Sequence, residues 1–224
     1  WSNPGDAGLG MQLDWSLPNG AKVGEPRYPV PQTLLISGLM NHIYESDYAV
    51  LIPFTAPANA RAGSQLPISV KAQWLACTDE ICVPESAELN TTITVAEKTG
   101  PSLAAFEAWE QRLPAPLGTV ATFEFAGDTV RFAIPLPASA ALESPHLFLA
   151  TDKVVDYAAP QAFARAGDML LVTLPRARFA PLSPDTLNAV LRLDAQGSGV
   201  VFSTKLGKVP TGGEPLATAA MAST

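Results

Sequence analysis

Leu66-Pro67-Ile68-Ser69-Val70-Lys71-Ala72-Gln73-Trp74-Leu75-Ala76-Cys77 is the stretch that decides how the chain is read. Leu66, Ile68, Val70, Ala72, Trp74 and Ala76 share one parity, while Pro67, Ser69, Lys71, Gln73, Leu75 and Cys77 share the other. Successive side chains of a β-strand point to opposite faces, so this alternation predicts a strand with one apolar face against a core. Carried to its end, the alternation turns Cys77 away from that core. Cys82 follows in Thr78-Asp79-Glu80-Ile81-Cys82-Val83-Pro84-Glu85, and the chain has no cysteine besides these two.

Similar signs run outward in both directions. Residues 47–54 and 91–96 are apolar and β-branched between Pro, Gly, Asn and Ser clusters, and residues 15–17 lead into the turn Pro18-Asn19-Gly20. Together they predict a first β domain over residues 1–98. Leu103, Phe106, Trp109 and Leu113 then recur at spacings of three and four, which predicts a short helix with Ser102 as N-cap, closed by Pro114 and Pro116, in a linker over 99–118. Residues 119–125, 129–134, 146–150, 169–174, 189–194 and 199–204 read as strands of a second β-sandwich domain over 119–208. The Gly, Pro, Ala and Thr content after that predicts a flexible tail over 209–224. Twenty-one prolines and sixteen glycines, scattered along the chain, fit many short strands and argue against a helical bundle. The expected fold is therefore all-β, two sandwiches joined by a short helical linker.

A formal net charge of -7 with no Lys/Arg cluster repels a phosphate backbone, so nucleic acid is not an expected partner. No run approaches the roughly 20 apolar residues of a membrane-spanning helix. The start at Trp1 carries no leader pattern, so compartment has to be read from other features.

Two cysteines this close in sequence suit a structural staple, a redox pair or half of a metal site. A small ring removes less entropy from the unfolded chain than a long one, which makes the redox reading more attractive than the staple. Zinc would need further ligands, and the chain offers only His42 and His146 at unrelated spacings, so neither a metal site nor a cofactor is expected. As reduced soft thiolates the same pair would suit Cu(I), in a non-catalytic binding or copper-tolerance module. Asp79, Glu80 and Glu85 disfavour further negative charge, so both thiols should stay protonated and be attacked more readily than they attack. Tyr44, Tyr48 and Trp74 are in reach of flanking the thiols, although aromatic residues in strands usually belong to a core and His42 reads as structural. Ser37-Gly38-Leu39-Met40 is an apolar loop where a turn prefers polar residues, either a lid or a segment that folds back into the core.

Several stretches form a set of landmarks. They are Trp1-Ser2-Asn3-Pro4-Gly5-Asp6-Ala7-Gly8, Trp15-Ser16-Leu17-Pro18 with Gly20, Ile81-Cys82-Val83-Pro84-Glu85, and Asp156-Tyr157-Ala158-Ala159-Pro160-Gln161. With them the chain, to about residue 206, resembles the N-terminal periplasmic region of the DsbD-type thiol:disulfide interchange proteins, especially the suppressor-of-copper-sensitivity B branch. The resemblance implies an immunoglobulin-like sandwich bearing the redox pair, a second β domain, and a protein-disulfide reductase active in the periplasm. It implies two partners, a membrane electron-transfer domain of the same full-length protein and a thioredoxin-fold periplasmic oxidoreductase or isomerase. Cys82 would form the mixed disulfide, Cys77 would resolve it, and Ser37, Gly38, Leu39 and Met40 would form a cap loop. Members normally carry a strand or two before the Trp1 landmark, so the first sandwich is expected to lack its opening strand here.

Overall fold

Alternation accounts for the central strand of the first half. The computed structural model describes residues 1–78, 81–98, 100–178 and 184–217. Up to the helix its strands are β1 (Gln12–Ser16), β2 (Lys22–Val23), β3 (Gln32–Ile36), β4 (Leu39–Ile43), β5 (Phe54–Thr55), β6 (Gln65–Cys77) and β7 (Cys82–Thr94). In β6, Leu66, Ile68, Val70 and Ala72 are buried, whereas Gln65, Pro67, Lys71 and Gln73 are exposed. This strand is the middle of an antiparallel sheet in the order β1-β6-β7, while β2 pairs with β5 and β3 with β4.

Several local expectations shift. Residues 47–54 supply only β5 and one isolated bridge, Arg27 with Leu51, because Pro53 has no N–H to give a ladder. The apolar loop at 37–40 is the tip of the β3–β4 hairpin, with Ser37 and Gly38 both at positive φ as a two-residue hairpin turn requires. The helix, α1 (Ala104–Glu110), has Leu103 at its N-cap with no side-chain cap bond, one residue beyond the expected Ser102, and none of its residues is buried.

After α1 come β8 (Ala115–Pro116), β9 (Ala121–Ala126), β10 (Thr129–Pro135), β11 (His146–Leu149), β12 (Ala162–Ala166), β13 (Met169–Pro175), β14 (Thr186–Arg192), β15 (Gly199–Leu206) and β16 (Glu214–Pro215). They form one sheet in the order β11-β14-β15-β9-β10-β13-β12-β16, with β8 on β15. The pairings of β15 with β9 and β8 are parallel. The sheet folds over on itself, because Leu147, Leu149, Leu187 and Leu191 from one side share a single buried cluster with Phe123, Phe132, Ile134, Leu170 and Leu174 from the other. The fold is all-β, of the immunoglobulin-like sandwich kind, with one short helix between its strand-rich halves.

The second half also holds part of the first. Met40 of β4 is buried within the large cluster, and Val30 packs with Phe148 and Val190. The stretch read as a tail is anchored at several points although most of its described residues are exposed. Val209 is buried beside Ala133 and Leu171, β16 pairs with β12, and Leu216 N–H donates to the Phe163 carbonyl. Residues 218–224 of that reading lie outside the described residues.

Candidate functional site

The β6–β7 hairpin runs in unbroken register from Gln65 opposite Thr94 to Cys77 opposite Cys82. At its tip the Thr78 N–H donates to the Ile81 carbonyl at 2.8 Å, and the Ile81 N–H donates to the Thr78 hydroxyl at 3.2 Å. Hydrogen-bonded and non-hydrogen-bonded pairs alternate along an antiparallel ladder, so Cys77 and Cys82 form a non-hydrogen-bonded pair, the closer kind. They are joined by a disulfide, with Cα atoms 4.0 Å apart. By the same alternation Pro67 and Pro84 also occupy non-hydrogen-bonded pairs, where a proline interrupts no bond between these two strands. Below the disulfide, Trp74 and Glu85 face each other, and the indole N–H donates to the carboxylate at 3.0 Å, tying the arms together.

Both cysteines are exposed. Beside them Ile81 and Val83 are 61% and 47% exposed, an apolar rim around an accessible S–S bond. A disulfide presented in this way is open to attack by an external thiolate, the first step of thiol–disulfide exchange. Asp79 and Glu80, whose charge the sequence reading used, lie outside the described residues.

A cavity of about 550 Å³ opens beside Cys77. Three segments wall it, with Trp1, Pro4 and Leu9 from the start of the chain, His42, Tyr44 and Glu45 from β4 and its continuation, and Trp74 from β6. Tyr48 adds a further wall, stacked on Tyr44 with ring centroids 4.1 Å apart. Tyr44 donates its hydroxyl to the Pro29 carbonyl at 2.9 Å, and burial pushes its phenol well above the usual range, so it stays neutral. Glu45 is held at the rim by Gln32, whose amide donates to the carboxylate at 3.2 Å and accepts the Glu45 N–H at 3.0 Å. Tyr44, Tyr48 and Trp74, for which sequence reading favoured a core position over a place flanking the thiols, thus line the cavity beside Cys77.

The segment singled out as a cap divides. Ser37 and Gly38 form the hairpin turn, Leu39 is 49% exposed, and Met40 is buried in the core of the second half. The hairpin residues that wall the cavity beside Cys77 are Leu34 and residues 41–45.

Behind the cavity lies a polar junction that sequence reading missed. Asn3 is 1% exposed, and its amide donates to the Leu149 carbonyl at 2.8 Å and to the Tyr157 hydroxyl at 2.9 Å. Its backbone carbonyl accepts the Nδ1–H of His42 at 2.8 Å. The His42 ring meets Phe148 and Tyr157 edge-on, at 5.0 and 5.4 Å between centroids. The chain's first residues are laid along β4 by the Pro4 carbonyl, which accepts the His42 N–H, and by Asp6, whose carboxylate accepts the Met40 N–H at 2.8 Å. Gly5 lies between them at φ 92°, where a Cβ would collide with the Met40 carbonyl oxygen. Desolvation by burial lowers the pKa of His42, and burial, reinforced by Arg192 and His42, takes that of His146 to about 3. Asn3 and Tyr157 each fall in a landmark stretch, which was the one signal available for them.

Among the described residues, no group of three or more His, Cys, Asp or Glu side chains is arranged to hold a metal ion, and no helix is long and apolar enough to cross a membrane. No curated protein and no solved structure matches the chain. Residues 1–94, the stretch that carries the hairpin, its disulfide and the walls of the cavity, match the family model described as "Thiol:disulfide interchange protein DsbD, N-terminal", so this part of the chain is similar to a DsbD-type N-terminal domain.

Proposed function

We propose that the chain is a periplasmic electron-relay module that works as a protein-disulfide reductase through Cys77 and Cys82, with residues 1–98 as the redox domain, 99–118 as linker and 119–208 as a second domain. The observation that carries this reading is the exposed disulfide at a hairpin tip, rimmed by Ile81 and Val83, inside the stretch that matches the family. In the cycle, a dithiol of a membrane-embedded domain first reduces Cys77–Cys82 and becomes a disulfide itself. The reduced pair then meets an oxidised thioredoxin-fold oxidoreductase or isomerase. The Cys82 thiolate attacks one sulfur of the partner's disulfide, giving a mixed disulfide and releasing the other partner sulfur as a thiolate. The Cys77 thiolate attacks the Cys82 sulfur, restores Cys77–Cys82 and releases the second partner thiolate. Two electrons pass to the partner, and the two protons lost by the cysteine thiols balance the two taken up by the partner's thiolates.

The test is trapping. Cys77→Ser should accumulate a mixed disulfide between Cys82 and a thioredoxin-fold protein, while Cys82→Ser should trap little, both read by mass spectrometry of the adducts. Equal trapping by the two variants would overturn the role assignment. A wild-type disulfide that resists reduced thioredoxin, together with no trapping by either variant, would leave the pair as a structural staple.

A further inference from the structure

We propose that the cavity beside Cys77 is a receptor for a cationic side chain, lysine or arginine, of the protein that exchanges disulfides with this module. The proposal rests on the relay reading and adds the chemistry of the partner. Trp1, Tyr44, Tyr48 and Trp74 line the cavity, and aromatic rings attract cations through their quadrupoles. Among the described residues, Glu45 is the one carboxylate in the lining, which contains no lysine or arginine. Its position at the rim is fixed in advance by the paired bonds with Gln32. His42 donates Nδ1–H to the Asn3 carbonyl and is kept neutral by burial, so it adds no positive charge at neutral pH. An anionic side chain would be repelled by the Glu45 carboxylate, and an apolar one would make no ion pair with it.

A cation seated here also answers a chemical need of the exchange. A positive charge beside a sulfur favours its thiolate, so a docked partner would supply the activation that the acidic neighbours of the cysteines withhold. The chain's net charge of -7 favours approach of such a partner. The second half contributes no wall to the cavity, yet it holds two of its walls in place through Asn3, Met40 and His42.

The experiment measures second-order rates for reduction of Cys77–Cys82 in the full chain at low salt. The reductants are three N-acetylated, C-amidated Cys-Gly-Gly-X tetrapeptides in which X is arginine, glutamine or glutamate, so that the attacking thiols are alike. The arginine peptide should react about fivefold faster than the glutamine peptide, which corresponds to roughly 1 kcal/mol, and the glutamate peptide more slowly than either. Glu45→Gln and Tyr48→Leu should each bring the arginine-to-glutamine ratio close to one. Both side chains are exposed, and near-UV circular dichroism checks that the variants keep the fold. A wild-type ratio near one would overturn the proposal. So would a ratio that Glu45→Gln abolishes and Tyr48→Leu leaves unchanged, since that pattern is long-range attraction without a seat in the cavity. No trapping by either cysteine variant, together with a wild-type disulfide that resists reduced thioredoxin, would sink the relay, while the peptide ratios would still report on the cavity.

Discussion

Strands β7 and β10 have similar β-forming character and opposite surroundings. In β10, Val130, Phe132, Ala133 and Ile134 are buried, whereas no residue of β7 is. Leu89 and Ile93 stand opposite the buried Val70 and Leu66 of β6, yet they are 58% and 39% exposed. The second half closes its sheet over a buried apolar core. The first half instead has an open apolar cavity of about 890 Å³, bordered by Leu13, Val50, Ile68, Val70 and Leu89 and by Phe106 of α1. Close packing supplies stability, and elements that must receive a partner come from the less tightly packed part of a fold. Together with the proposed function, this difference places stability in the second half and the proposed exchange chemistry at the hairpin of the first.

The largest effect should come from a single core truncation. Phe132 is fully buried and stacked on Phe123 at 6.0 Å between centroids. Phe132→Ala should cost about 3–5 kcal/mol in chemical denaturation, through lost transfer energy and the cavity left behind. Leu89→Ala should cost about 0.5 kcal/mol, because most of that side chain is already in water. Equal costs for the two variants would break the division between the halves.

Acid should act next, and through the second half. His146 accepts a hydrogen bond at Nε2 from the Gln161 amide at 3.1 Å and faces Arg192 and, farther off, His42. Its folded pKa of about 3 lies below the ordinary 6.5, so the neutral form is the one that the fold favours. The associated stability is complete above pH 6.5 and is lost as pH falls toward 3, about 2 kcal/mol of it by pH 5. Denaturation midpoints measured from pH 7 to 5 should fall accordingly, and His146→Gln should flatten the slope to the share that His42 contributes. An unchanged slope in that variant would place the acid sensitivity elsewhere and remove the junction from its explanation.

The parts of this architecture that were legible in the sequence are those with a short-range sign. Strand β6 announces itself by its two-residue period, and Cys77 and Cys82 by their chemistry and spacing. The β3–β4 hairpin was hidden because Leu39 and Met40 make its tip look like a lid, and the reason for an apolar Met40 lies in the core of the second half. Strand β16 has two residues and no room for a pattern, so the Gly and Pro around it dominate the reading. The aromatic border of the disulfide was ambiguous for a related reason, since Tyr44, Tyr48 and Trp74 have the composition of a core and only their assembly around Cys77 separates the two roles. Asn3 and Tyr157 meet across 154 positions, and no periodicity or turn chemistry can announce such a contact.

That contact gives a small effect and the finest test of how the halves depend on each other. The Tyr157 hydroxyl accepts from the Asn3 amide at 2.9 Å and from the Lys153 N–H at 2.7 Å, and donates to the Asp152 carboxylate at 3.0 Å. Tyr157→Phe removes these bonds and keeps the ring against His42. The Asn3 amide retains the Leu149 carbonyl, and Lys153 and Asp152 are exposed enough to turn to water. The cost should therefore be that of an ordinary hydrogen bond, about 1 kcal/mol, well below the Phe132→Ala value. Its distribution matters more than its size. Hydrogen exchange should quicken at the amides of Asp6, Met40 and His42, which depend on the chain's start lying along β4, while β10 and β13 keep their protection. Faster exchange throughout β10 and β13 would mean that the junction is part of the core, and the line between a stabilising half and a reactive half would have to be redrawn through β4.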